Sequence, residues 1–174
     1  MCIRDSVYTD SDWAGCRRTR KSVSAGVIMY GGCPIKSYSK YQRHMSLSSA
    51  EAELYAANLG VQMAMGVKSL LEEMGIVVRH IRLCVDATAA IGIMSRRGLG
   101  RLRHLEVNEL WLQQHVAEGK VVVSKVGTHA NVADVGTKAL DQKTFMGLLG
   151  LMGFHFPREQ EVEEDVNWIW KQMF

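Results

Sequence analysis

The stretch Val7-Tyr8-Thr9-Asp10-Ser11-Asp12-Trp13-Ala14-Gly15 limits what this chain can fold into more than any other. It reads as a β-branched and aromatic strand that carries an acidic residue just before a small-residue turn. A carboxylate in a strand destined for the interior is costly unless it is paired or bound to a metal. Asp10 therefore needs partners, and the ends of other elements supply them at Glu53, Asp86 and Asp134.

Those elements follow in order. After a basic loop, residues 24–30 (SAGVIMY) read as a second strand, Gly31-Gly32 as a turn and residues 34–39 (PIKSYS) as the returning strand, with an extension over 41–47 open to it. Ser48-Ser49-Ala50-Glu51 is a capping box, Ser at the N-cap and Glu three positions on. The helix it opens carries Leu54, Ala57, Val61 and Met65 at helical spacing, with a break expected at Gly66 and an end at Gly75. Residues 81–85 (IRLCV) are apolar enough for a central strand covered on both faces, and Asp86 closes them. Short helices are predicted over 88–95, 132–140 and 145–151, an amphipathic helix over 104–118 and a strand over 120–126. The order β-β-β-α-β-α-α-β-α predicts an α/β fold: a mixed five-stranded sheet, three antiparallel strands then two more, with helices on both faces.

The chain is the size of one ordinary domain, at 174 residues. No apolar run reaches the length of a membrane span, so no membrane partner is expected. Four cysteines without a CxxC or a Cys/His cluster suggest reduced thiols of an intracellular protein, in the cytoplasm or nucleus, and argue against a disulfide frame or a zinc site. Within residues 158–174, Arg158 and Lys171 face Glu159, Glu161, Glu163, Glu164 and Asp165, a net −3; the formal +3 of the whole chain leaves +6 on residues 1–157. A basic body with an acidic appendix fits a polyanion partner, although +6 spread over a surface also serves solubility. Met1-Cys2-Ile3-Arg4-Asp5-Ser6 looks like the translation of a sequencing adapter. The expected organisation is a non-native leader over 1–6, one domain over 7–156 and an acidic extension over 157–174.

Each carboxylate also has an ordinary explanation. Asp10 could be a turn residue, but Asp12, three before Gly15, fits that role better. Glu51 is explained as the third residue of the capping box, whereas Glu53 lies past the first turn with no such reason to be there. Asp86 could cap a helix and Asp134 could favour a helix dipole. Four such residues on four elements are harder to explain separately. Two divalent ions about 4 Å apart would offset their repulsion and supply hydrolytic chemistry at phosphorus. Oxygen-only ligands favour Mg²⁺, with Mn²⁺ able to substitute.

The stretches YTDSDWAG, RKSVSAG, KSYSKYQ, LSSAEAELYA, RLCVDATAAI and VADVGTKAL occur in this order. Over residues 7–150 the chain thereby resembles the ribonuclease H domain of copia-type LTR retrotransposon polyproteins. The resemblance implies the ribonuclease H fold, two-metal hydrolysis of the RNA strand of an RNA–DNA hybrid, and a place C-terminal to a reverse transcriptase domain. Carried over residue by residue, it makes Asp10, Glu53, Asp86 and Asp134 the metal ligands. It also points to His129, five residues before Asp134, as an assistant in water delivery or product release; an exposed loop histidine is the plain alternative. The chain departs from the family at Tyr38, where Trp is usual, and at Ala25-Gly26, where Gly followed by a larger residue is common.

A hybrid is held mainly through phosphates and sugars. Arg18, Arg20 and Lys21 in the first loop are candidate phosphate contacts, and so are Arg96, Arg97, Arg101 and Arg103 in a Gly-punctuated segment. Lys40 and Gln42 could line the groove, Ser49 could offer a hydroxyl, and the resemblance adds His104. Any one of these could equally be a solvated surface group. Trp111 and the methionines read as packing. The sequence supports an active hybrid ribonuclease first and an inactive nucleic-acid tether from a decayed element second. The SSAEAE and ADVGTK stretches argue against an integrase of the same fold.

Overall fold

A computed structural model describes residues 6–98 and 110–155. Five strands form one mixed sheet in the order β3-β2-β1-β4-β5: β1 (Ser6–Asp12), β2 (Val23–Tyr30), β3 (Cys33–Tyr41), β4 (Ile81–Val85) and β5 (Val121–Lys125). The first three are antiparallel neighbours, and β4 and β5 run parallel to β1. The β2–β3 hairpin turns on Gly31 and Gly32, both at positive φ (60° and 87°), which a two-residue turn between twisted strands favours. Ser6, set with the leader on sequence, is the first residue of β1 and pairs with Met29 and Arg82. The third strand ends at Tyr41 and does not extend over 41–47.

Alternation along the strands sends side chains to opposite faces. On one face Val7, Ile28, Leu83, Val85 and Val121 pack with Leu54 and Val61 of α1 (Ser49–Glu73), Ala90, Ile93 and Met94 of α2 (Thr88–Met94), and Leu112 of α3 (Trp111–Ala117). On the other, Val27 and Met29 meet Val132 and, from α4 (Gln142–Leu151), Leu148 with Met152 just beyond. Helices thus cover both faces, as the element order predicts. Trp111 packs against the first cluster, as read from the sequence. Among the described residues no helix is long and apolar enough to cross a membrane.

Helix α1 starts where the capping box places it: the Ser48 side chain accepts from the Glu51 N–H (3.2 Å), and the Glu51 carboxylate accepts from Leu47 N (2.9 Å) and the Tyr55 hydroxyl (3.0 Å). It then runs unbroken through Gly66, contrary to expectation. One interior glycine costs about 1 kcal/mol, too little to break a helix whose Val61, Ala64 and Val67 are packed on the core to either side of it. Tyr38 lies between β3 and this helix, its hydroxyl donating to the Ala56 carbonyl (3.4 Å). Gly26 makes room for it, since a Cβ there would come within 2.6 Å of the ring carbons.

The helix predicted over 132–140 is instead a 3-10 turn, Val132–Gly136, preceded by another, Thr128–Ala130. Asn131 fixes the second turn in place: its Oδ1 accepts from Ala133 N (3.3 Å) and its Nδ2 donates to the Thr9 carbonyl (3.0 Å). Gly136 crosses the sheet so closely that a Cβ would sit 2.6 Å from the Ala25 Cβ, which leaves no room for a thicker α-turn. The last helix begins at Gln142, ahead of the expected 145, because Asp141 caps it by accepting from Thr144 N (3.0 Å).

Candidate metal centre

Parallel pairing of β1 with β4 is what brings the first two acids together. Tyr8 is in register with Cys84, so two residues further along each strand Asp10 and Asp86 leave the same edge side by side. Asp86 does not cap α2; the N-cap is Ala87, without a side-chain bond. Glu53 arrives from α1, which is pinned to β1 by the Ser11 N–H donating to Glu53 Oε1 (3.1 Å). Ligand oxygens of Asp10, Glu53 and Asp86 all lie within 4.8 Å of one another. Asp12 serves the turn, its Oδ1 accepting from Val23 N.

Asp134 comes from the second 3-10 turn and is outside that close group. It joins through a residue the sequence reading did not single out. Lys138 Nζ donates to Asp134 Oδ1 (2.9 Å) and to Asp10 Oδ1 (3.3 Å), and the Thr137 hydroxyl donates to Asp10 Oδ2. A signal was present in VADVGTKAL: an Asp and a Lys four residues apart would face each other on an α-helix, and they still meet here where the chain leaves the 3-10 turn.

The centre is buried and acidic. Asp10 is 1% exposed, Glu53 6% and Asp134 5%. Burial pushes Asp10 up to about 6, against the pull of Thr137 and Lys138. Burial, with the Asp10 charge next, pushes Glu53 up to about 8. Glu53 Oε2 has no hydrogen-bond partner. An unpartnered buried carboxylate oxygen beside two other carboxylates is what a divalent cation would satisfy, so the residues present fit a hard, oxygen-liganded metal ion.

The remaining predicted site residues lie at other positions in the chain. His129 is exposed in the first 3-10 turn. Arg20 and Lys21 lie in the loop before β2, Arg97 is exposed after α2 with Arg96 half-buried beside it, and Ser49 is exposed at the start of α1. Lys40 lines a groove of about 590 Å³ beside Arg43, His44, Tyr55 and Asn58. Gln42 also borders that groove, but its amide is spent on the fold, donating to Ser24 Oγ (2.9 Å) and the Ala52 carbonyl (2.8 Å) and accepting from Ser46 Oγ (2.6 Å). Arg101, Arg103 and His104 lie outside the described residues, as does the acidic extension.

The fold is that of the ribonuclease H domains. The N-terminal RNase H domain of a Mycobacterium tuberculosis protein superposes with a TM-score of 0.52 at 11% identity, covering 85% of this chain and 97% of that one. An RNase H1 isolated from compost superposes at 0.50 and 14% identity, over 78% and 93%. Within that fold class the chain is a relative of the retrovirus-related Pol polyproteins of plant transposons. It is 31% identical over 150 residues to that of transposon TNT 1-94 of Nicotiana tabacum, covering 85% of this chain and 11% of the polyprotein. It is 30% identical over 149 residues to that of transposon RE1 of Arabidopsis thaliana, covering 84% and 10%. The chain thus spans about a tenth of the length of these relatives. No protein-family model matches it.

Proposed function

We propose that this chain is a ribonuclease H domain that hydrolyses the RNA strand of an RNA–DNA hybrid, working inside the cell as part of a copia-type transposon polyprotein beside a reverse transcriptase domain. The observation that carries the reading is the group of oxygens from Asp10, Glu53 and Asp86 within 4.8 Å, with Asp10 and Glu53 buried, Asp86 half-buried and Glu53 Oε2 unpartnered. Asp10, Glu53 and Asp86 would hold one divalent ion and Asp10 with Asp134 a second, Mg²⁺ in the cell and Mn²⁺ as a substitute. When bound, such ions supply an activated water and charge stabilisation for in-line displacement at phosphorus.

The chain's own residues do the rest. The Ser11 N–H fixes one Glu53 oxygen, leaving the other free to ligate. Thr137 fixes the orientation of Asp10. Arg20, Lys21, Lys40 and Arg97 are proposed to take phosphates of the hybrid, and such contacts weaken steeply with salt. His129 is proposed as an assistant to water or product movement.

The test is cleavage of a labelled RNA–DNA hybrid by the purified protein with and without Mg²⁺, beside Asp86→Asn. Cleavage is expected only from the unsubstituted protein with metal, with a loss of about 10²-fold or more in the variant. Equal cleavage by both, or none by either, would sink the enzymatic reading. Hybrid binding without cleavage would favour a tether.

A further inference from the structure

We propose that Lys138 is a built-in counter-ion for the carboxylate pair Asp10–Asp134, which a second divalent cation must displace, so that two cations enter in a fixed order and with unequal affinity. The inference rests on the metal-centre reading above and adds to it how the centre is filled.

Two halves of the centre differ in how their charge is compensated. In one, Asp10, Glu53 and Asp86 converge within 4.8 Å, and a buried oxygen, Glu53 Oε2, has no partner. In the other, an ammonium already lies between the carboxylates, 3.3 Å from Asp10 Oδ1 and 2.9 Å from Asp134 Oδ1. A cation arriving at the first half meets that unpartnered oxygen, and only one of its three carboxylates, Asp10, is held by the ammonium. One arriving at the second must first remove a like charge from contact distance, which lowers its net gain.

The device is built to be reversible. The carboxylate side chains are 2% and 7% exposed and cannot leave, whereas the Lys138 side chain is 38% exposed. Its flexible four-carbon stem lets the ammonium swing into water without moving the backbone. Thr137, the preceding residue, holds the other oxygen of Asp10, so the carboxylate keeps its place when the lysine leaves. The lysine therefore holds Asp134 near the other ligands before metal arrives and steps aside for it.

Calorimetric titration of the metal-free protein with Mn²⁺, without nucleic acid, tests this on wild type, Lys138→Met, Lys138→Gln and Lys138→Arg, with circular dichroism to confirm folding. Wild type should take one ion tightly and a second about tenfold or more weakly, a gap of about 1.4 kcal/mol. Met or Gln should raise the second affinity about tenfold and close the gap, and Arg should preserve it. If Met prevents folding, Gln offers a polar, uncharged side chain one bond shorter. Two ions of equal affinity in wild type, or an unchanged second affinity in the neutral variants, would overturn the role of Lys138 and leave the metal centre standing. No Mn²⁺ bound by any of the four would overturn the metal centre and Lys138 together.

Discussion

Stripped of divalent ions, the protein should lose stability as pH rises from about 4.5 to about 8, and Glu53→Gln should remove most of that loss. Burial first, then the charge on Asp10, lifts Glu53 from 4.5 to about 8. Between those values the folded chain keeps a proton that the unfolded chain has released. Raising the pH through that window therefore favours the unfolded chain. At about 1.4 kcal/mol for each pH unit, Glu53 alone sets a ceiling of about 5 kcal/mol. Asp10 adds a smaller loss of the same sign over a lower window, from 3.8 to about 6. The Gln variant keeps an Oε1 to accept from Ser11 N and has no carboxylate to desolvate. Urea denaturation in a chelating buffer, at intervals from about pH 5 to about pH 8, measures both proteins. Wild type should fall by about 3 kcal/mol or more and the variant by less than half as much. Mn²⁺ at the upper pH should restore wild type more than the variant, because ion binding to the folded state alone adds stability. Parallel profiles for the two proteins would refute the reasoning, since the burial of Glu53 could not then set the slope.

Two further predictions concern packing. Gly60→Ala should lower the melting temperature, because its Cβ would collide with the Thr9 methyl and come 3.1 Å from Tyr38 Oη. Overpacking costs about 1–3 kcal/mol, which outweighs the ~1 kcal/mol that alanine gains in a helix; an unchanged or higher melting temperature would count against this close approach. Gln42→Ala should destabilise by about 2 kcal/mol, by stranding the buried hydroxyls of Ser24 and Ser46. If it instead weakens hybrid binding at unchanged stability, Gln42 belongs to the groove and not to the fold.

Local signals made most of the fold legible. Alternating strands, the Gly31-Gly32 turn and the Ser48–Glu51 capping box act over a few residues and survive tertiary context. The errors came where long-range packing overrules local propensity. Gly66 stays helical because the core holds both sides of it, and 132–136 tightens into a 3-10 turn because Gly136 must pass over Ala25. Asp10 was legible because a carboxylate is anomalous in a buried strand, and Glu53 because no cap accounts for it. Lys138 was not, because a lysine in a polar stretch is ordinary until its partners, Asp10 and Asp134, are seen together. Gln42 shows the same limit: a polar residue after a strand looks free until its amide is found bonded inside.

The contacts that complete the centre also span nearly the whole described chain. Asn131 reaches back to Thr9, and Thr137 and Lys138 to Asp10, over 122, 127 and 128 residues. Loops that long close slowly, and their contacts reward the chain only after the intervening elements are in place. During synthesis the three-carboxylate group can assemble once β4 has emerged, while Asp134 and Lys138 are still to come. In chain order, the ligand set of the first half is complete at Asp86, and the second half waits for Asp134 and Lys138, 48 and 52 residues later.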